Sequence, residues 1–428
     1  MNPTLRKITP SGKTDAIVQA PPSKSYTIRA FLLGALAEGA TVVKGALMCD
    51  DTRVMLRALE ALGYAVEKEE SAGTVRIGGR GGQLPAGYAD IDAGEAGAVM
   101  RFILPILALG KGTYHLKGSQ RLSGRPLGEL ADALDSLHVE IEDNQGKLPV
   151  TVCGDGRVKG GRVKLDSKRS SQFVSALLMA APCYEGGLAV ELTGPIVSAP
   201  YIDMSLAAME HFGVRVEKKD NVFTVPQAKY KAAEFAIEPD ASSGAFMLAA
   251  AAVTGGSITI DNAPAKSRQG DWIFAELLGK MGCKIERGAF GLKVSGGELK
   301  AIECDLSQTP DLVPPLAAAA VFAKGKSVVT GIEHLRYKES DRIAVLAREL
   351  SKIGVKTTAT DNSIEIEGPP AAGAEIDPDG DHRIAMAFSI IGLALPGISI
   401  KTPECVDKSY PEFFSVLERI SKHEVKPK

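Results

Sequence analysis

Cations and carboxylates recur in this chain at one kind of place, just ahead of apolar helical runs or in their first turn. "PSKSYTIRA" carries Lys24, Ser25 and Arg29, and "YKESDR" carries Lys338, Glu339 and Arg342. "SQRLSGRP" brings Arg121 and Arg125 into a turn, "GDHRIAM" places His382 and Arg383 at a helix start, and "CVDKSYP" supplies Lys408 ahead of the last helix. The free N–H groups and positive dipole end of a helix N-terminus attract anions, and a cation there is unfavourable by roughly 0.3–1 kcal/mol unless an anion compensates. Repeated basic residues at these junctions therefore point to a held phosphate or carboxylate. A helix starting near Glu339 would set Lys338 and Arg342 four apart, where like charges repel and an anion between them relieves the repulsion. Glu339 lies beside both, and neighbouring cations adjust a carboxyl's proton affinity, as a proton-transfer group requires. The competing reading is a solvated surface charge ladder. Ser170 with Ser171, and Asp240, Ser242 and Ser243 in "DASSGAF", read equally well as plain helix caps.

The elements that must position these residues repeat. A polar cluster, a small-residue apolar helix, Gly or Pro and a short β-like run recur from Ser23, Glu95, Arg169, Asp240, Pro310 and Asp381, about 70 residues apart. Each copy is followed by an amphipathic helix, such as "TRVMLRALEALGYAVE" from Thr52 or "SDRIAVLARELSKIGVKTT" from Ser340, and by strand-like runs such as "GTVRIGG" and "NSIEIEG". Each unit reads β-α-β-α-β-β. The first helix is apolar nearly all round and should be buried, whereas the second has a wet face and should lie outside. Three units per domain, with helices inside a coat of sheets, give two domains. Solenoid stacking predicts shorter repeats and polar caps, and neither G-x-G-x-x-G after a strand nor G-x-x-x-x-G-K-[ST] occurs to support a nucleotide fold.

Composition narrows the function. Fifty basic and 52 acidic residues give a net charge of -2, with no global field for nucleic acid or an anionic membrane. Six scattered cysteines form no C-x-x-C pair, arguing for reduced thiols in a cytoplasm, and the six histidines show no metal-ligand spacing. No apolar run approaches the roughly 18 residues of a membrane span, and no signal-peptide core is present at the start. The expectation is a cytoplasmic monomer with no metal and no cofactor.

With these junctions in view, the chain resembles the 5-enolpyruvylshikimate-3-phosphate synthase family. The marks are "PSKSYTIRA", "AGAVMR", "SSQFVSALLMAAP", "SAPYID", "DASSGAF", "YKESDR", "DHRIAMAFS" and "DKSYPEFF", in family order and spacing. The resemblance implies a two-domain inside-out α/β barrel of six repeats, with the active site in the interdomain cleft. It implies one discontinuous domain of residues 1–20 plus 240–428 with repeats four to six, and an inserted domain of residues 21–239 with repeats one to three. It further implies that Lys24, Ser25, Arg29, Ser170, Ser171, Ser198, Tyr201 and Lys338 hold shikimate 3-phosphate, together with Asp311, and that Gln172 lies between the two substrates. Phosphoenolpyruvate falls to Lys24, Arg121, Arg342, Arg383 and Lys408, with the backbone near Gly97. Asp311 and Glu339 match carboxylates with proton-transfer roles, assisted by Lys24 or Lys408.

Two stretches depart from the family pattern. Glu95-Ala96-Gly97-Ala98 stands where Asn-Ala-Gly-Thr is usual, which bears on phosphoenolpyruvate affinity and on sensitivity to the inhibitor glyphosate. His334 stands where an Asn is often found. Two rivals remain at this level: a UDP-N-acetylglucosamine enolpyruvyl transferase, whose usual loop cysteine is absent from residues 111–125, and a non-catalytic anion-binding protein.

Overall fold

The structure, a computed structural model, describes residues 4–288 and 291–422. The chain divides into two compact units, one of Pro22–Glu238 and one of Met1–Pro21 with Pro239–Lys428. Each unit carries its own hydrophobic core.

In each unit the core is built from three apolar helices. Those of the first unit are Lys24–Leu36, Gly97–Leu107 and Ser171–Ala180; those of the second are Ala241–Thr254, Val313–Ala320 and His382–Gly392. All eleven residues of His382–Gly392 are buried, so a helix with no wet face has taken the interior, as its composition requires. The amphipathic helices Asp50–Ala61 and Arg342–Lys352 bury one side only.

Sheets flank these helices. In the first unit, Tyr88–Asp92 runs parallel to Lys111–Lys117, which pairs antiparallel with Val150–Asp155, and that with Glu140–Asp143. This is one β-α-β-α-β-β repeat folded up. The strands alternate buried and exposed residues, as a sheet with one face on a core must. Two sheets recruit a strand from far along the chain: Glu234–Ala236 joins Glu38–Lys44, and Asp15–Val18 joins Ser257–Ile260, both parallel. The sixth repeat departs from the pattern. Its sheet has three strands among the described residues, because the helix Phe413–Ser421 is followed by no further described strand and Leu5–Lys7 fills one place beside Ser399–Lys401.

Glycines mark the repeat where strand meets helix. A Cβ on Gly79, Gly154, Gly296 or Gly368 would overlap a backbone carbonyl at the C-terminal end of a core helix or just beyond it, respectively Ala37, Gly110, Ala251 and Val321. The closing strand of repeats one, two, four and five thus lies directly on the open carbonyl end of its helix, leaving the N-terminal ends for other contacts. Among the described residues no helix is long and apolar enough to cross a membrane.

Because the clash at Gly154 is with backbone, no rotamer change relieves it. Gly154→Ala should cost about 1–3 kcal/mol in urea unfolding, the usual range for overpacking; an unchanged midpoint would show that the strand shifts freely.

Candidate active site

In the first unit the N-terminal turns of the core helices are stitched together by arginines. Arg101, one turn into Gly97–Leu107, donates from Nη1 to Gln172 Oε1 at 2.7 Å, in the first turn of Ser171–Ala180. Its Nη2 donates to the Pro126 carbonyl at 2.8 Å. Arg29 is 2% exposed and donates from Nε to Ser205 Oγ at 2.8 Å, from Nη1 to the Ser25 carbonyl at 2.9 Å and from Nη2 to the Tyr201 carbonyl at 2.9 Å. Ser205 Oγ in turn reaches Ser175 Oγ at 2.8 Å. Burial lowers the Arg29 guanidinium to about 10, so it remains a cation at neutral pH.

Around these ties stand the other residues singled out in the sequence. Lys24 opens its helix behind the Ser23 cap and donates from Nζ to Asp51 Oδ2 at 2.9 Å, both side chains largely buried. Ser170 caps its helix by accepting from the Gln172 N–H at 3.2 Å. Ser171 is buried, and Ser198, in a left-handed conformation with φ 55°, begins the helix Ala199–His211 without using its hydroxyl as a cap. Gly97 opens Gly97–Leu107, and a Cβ there would lie 2.5 Å from Arg125 Nη1, so the glycine makes room for a buried guanidinium. Arg121 is exposed on the short helix Gln120–Ser123, and Glu95 is exposed just before Gly97.

In the second unit a denser array gathers. Arg342 is 1% exposed, and each of its nitrogens meets a carboxylate: Nε donates to Asp381 Oδ2 at 2.8 Å, Nη1 to Asp311 Oδ1 at 3.0 Å, and Nη2 to Glu339 Oε2 at 2.7 Å. Arg383 Nη2 lies 2.9 Å from the other Asp311 oxygen, so Asp311 bridges two guanidiniums. Asp381 also caps His382–Gly392, accepting from the Arg383 N–H at 2.9 Å, and takes the Ser340 hydroxyl at 3.2 Å. Burial opposes the Arg342 charge, but Asp381, Glu339 and Asp311 together outweigh it and hold that guanidinium far above its ordinary range. Burial likewise favours a neutral Asp311, and Arg383, Lys338 and Arg342 overcome it, holding that carboxyl well below the usual carboxylate range. Lys338 is half-buried, and Lys408, 5% exposed, ends a 3-10 turn packed against the helix that carries Arg383.

One expectation is corrected here. The helix starts at Arg342, not near Glu339, because Asp341 caps it by accepting from the Ala344 N–H at 3.1 Å. Lys338 and Arg342 therefore do not share a helical turn, and the Arg342 charge is met by the protein's own carboxylates.

What remains is chemical recognition of the array. Residues 8–417 match the family model described as EPSP synthase (3-phosphoshikimate 1-carboxyvinyltransferase). The chain belongs to the EPSP synthase family. A 3-phosphoshikimate 1-carboxyvinyltransferase of a Sulfurovum species is 41% identical over 413 residues, covering 95% of this chain and 96% of its own. One from a Nostoc species is 38% identical over 406 residues, covering 94% and 95%. The solved EPSP synthase of Acinetobacter baumannii superposes with a TM-score of 0.80 at 30% identity, covering 97% of this chain and 98% of its own. The enolpyruvyl transferase NikO from Streptomyces tendae, at 17% identity and a TM-score of 0.75, shares the fold.

Sequence reasoning did not single out Asp51, Arg101 and Asp381, which pair with the candidate site residues Lys24, Gln172 and Arg342. For Arg101 a signal existed: an arginine inside "AVMRFILPIL" must find partners when its helix is buried. His334, in the place of the family's frequent Asn, is 3% exposed with no hydrogen-bond partner at Nε2. Burial, with Lys338 nearby, pushes its imidazole down to about 3. The fold thus keeps His334 neutral where the unfolded chain, with an ordinary value near 6.5, takes up a proton. Stability should fall as pH drops below about 6.5, and His334→Gln should remove on the order of 3 kcal/mol of that loss by about pH 4. Urea midpoints across that range check it, and parallel curves for the two proteins would contradict it.

Proposed function

We propose that this chain transfers the enolpyruvyl (1-carboxyvinyl) group of phosphoenolpyruvate to the 5-hydroxyl of shikimate 3-phosphate, releasing phosphate, on the route to chorismate and the aromatic amino acids. The observation that carries the reading is the Glu339–Arg342–Asp311–Arg383 array. One fully buried carboxylate, Asp381, already pairs with Arg342; Asp311 and Glu339, each 15% exposed, set two further carboxylates beside the cations, more than a protein that only bound anions requires. The reading places the reaction in the cytoplasm and in a monomer, with shikimate 3-phosphate on Lys24, Ser25, Arg29, Ser170, Ser171, Ser198, Tyr201 and Lys338. Phosphoenolpyruvate is assigned to Lys24, Arg121, Arg342, Arg383 and Lys408 with the Gly97 backbone, and Gln172 lies between the substrates.

In this mechanism the enol carbon of phosphoenolpyruvate is protonated as the 5-hydroxyl attacks C2, and loss of phosphate from the tetrahedral intermediate, with return of the methyl proton, gives the enol ether. Because Arg101 takes Gln172 Oε1, the Gln172 amide presents its N–H groups to substrate. An incoming carboxylate on Arg342 displaces Glu339 from Nη2; freed from its cation, Glu339 gains proton affinity, as a general acid needs. Asp311, gripped by two guanidiniums, is a weak base at first and orients the hydroxyl; its basicity rises as substrate anions share Arg342 and Arg383. Lys24 or Lys408 stabilises charge on the departing phosphate.

Phosphate release on mixing the protein with phosphoenolpyruvate and shikimate 3-phosphate tests the reading, and release with UDP-N-acetylglucosamine alone would overturn it. Lys24→Ala, Arg121→Ala and Glu339→Ala should each lower turnover by about a hundredfold or more while the protein stays folded. Near-normal rates in all three would refute the site.

A further inference from the structure

Glu349 is fully buried, and no step of the mechanism above uses it. It follows Arg342 by two turns of the helix Arg342–Lys352, so the two side chains leave one side of that helix about 10 Å apart. Residues 377–381 run along this side and are fastened to it at both ends. At one end Arg342 Nε donates to Asp381 Oδ2 at 2.8 Å. At the other, the Asp377 N–H donates to Glu349 Oε2 at 3.0 Å, and Arg348 Nη2 donates to the Asp377 carbonyl at 2.9 Å. Both backbone polar groups of Asp377 are thus held by neighbouring side chains of one helix.

The holding groups are themselves fixed, and the span between the two fastenings is stiff. Glu349 accepts from Arg348 Nε at 2.6 Å and from Lys352 Nζ at 2.7 Å. Within the span, Asp377 Oδ1 accepts from the Asp379 N–H at 3.0 Å, and the Pro378 carbonyl accepts from the Asp381 N–H at 3.0 Å. Asp379 and Gly380 close this turn in the left-handed region, with φ 52° and 65°. Upstream, Glu375–Ile376 pairs with Ser399–Lys401 over two residues only. A fastening at Asp381 alone would leave the turn free to pivot about it, and the grip on Asp377 removes that freedom.

We propose that Glu349 is a positioning residue for phosphoenolpyruvate: by holding the Asp377 backbone it sets where the Asp381 carboxylate stands. Asp381 in turn orients Arg342 and caps the helix that carries Arg383. The proposal rests on the enolpyruvyl-transfer reading of the same site. Its reach is selective, because both arginines that depend on Asp381 are assigned to phosphoenolpyruvate. Most groups assigned to shikimate 3-phosphate, from Lys24 to Tyr201, belong to the other unit. A merely structural Glu349 would instead set the folded fraction, and with it the apparent kcat, without moving either ligand's affinity.

The test compares wild type, Glu349→Gln, Arg348→Ala and the double variant. Glutamine keeps the length of the side chain but removes the charge that holds Arg348 and Lys352, and the half-exposed Arg348 can be truncated with little risk to folding. The KM for phosphoenolpyruvate, at saturating shikimate 3-phosphate, should rise about tenfold in Glu349→Gln and several-fold in Arg348→Ala. The Kd of shikimate 3-phosphate alone, by titration calorimetry, should stay within about twofold of wild type. Because both side chains hold the same backbone, the double variant should raise KM by less than the product of the single effects. An unchanged KM in the two single variants overturns the inference, as does equal weakening of both ligands, which would mark general loosening. If Glu349→Gln fails to fold, an unchanged KM in Arg348→Ala overturns it. Absence of turnover by wild type sinks the proposed function and this inference with it, whereas turnover with wild-type KM values in the variants sinks this inference alone.

Discussion

A guanidinium taken out of water must be met by negative charge, and this constraint organises the second unit. Leaving one charge of a buried pair uncompensated costs several kcal/mol. Arg342, 1% exposed, meets it with Asp381, Asp311 and Glu339. Each of those carboxylates sits at an element boundary: Asp381 caps one core helix, Asp311 lies in the turn before another, and Glu339 precedes the helix of Arg342 itself. Satisfying one arginine therefore fixes where three helices begin. Glu349 repeats the device farther along the same helix, its fully buried carboxylate taking Arg348, Lys352 and the Asp377 N–H, which leads the chain to the Asp381 cap.

The inside-out arrangement makes this possible. Sheets flanking the helices can each turn a wet face outward, while core helices with no polar side must lie within. Their carbonyl ends are closed by strands resting on glycine, as at Gly79 and Gly368. Their N-terminal ends cannot be closed the same way, because free N–H groups there call for acceptors or anions. Ser170, Asp240 and Asp381 supply some of these as caps. The polar residues at these ends are thus first a structural necessity, from which the proposed site for anionic ligands needs few further groups.

Much of this was legible in the sequence because it is carried by periodicity. Six apolar helices without a wet face, each trailed by an amphipathic one, determine which helices are buried and how many repeats there are. The basic residues at helix mouths were legible because charge at an unfavourable dipole end demands a reason. The start of the Arg342 helix was not, since "KESDR" offers several acceptors in succession and only packing decides that Asp341 is the cap. The carboxylates that hold the site cations were hidden for a related reason. Asp51 reads as an ordinary acidic residue in a helical first turn, and nothing local announces that it meets Lys24, 27 positions away.

Cations already paired within the protein change what ligand binding means. Lys24 rests on Asp51, Arg342 on three carboxylates and Arg383 on Asp311, so an incoming anion exchanges with a carboxylate rather than filling an empty field. Exchange is close to neutral for a single weak anion, because the displaced carboxylate must find new solvation as the arrival loses its own. A ligand with several anionic groups on one frame gains by engaging several donors at once, since the first contact holds the rest in place. The displaced carboxylates stay where they are tethered, now short of a cation and therefore readier to hold a proton. On the proposed reading, binding a multiply charged substrate and arming the acid and base are therefore one event.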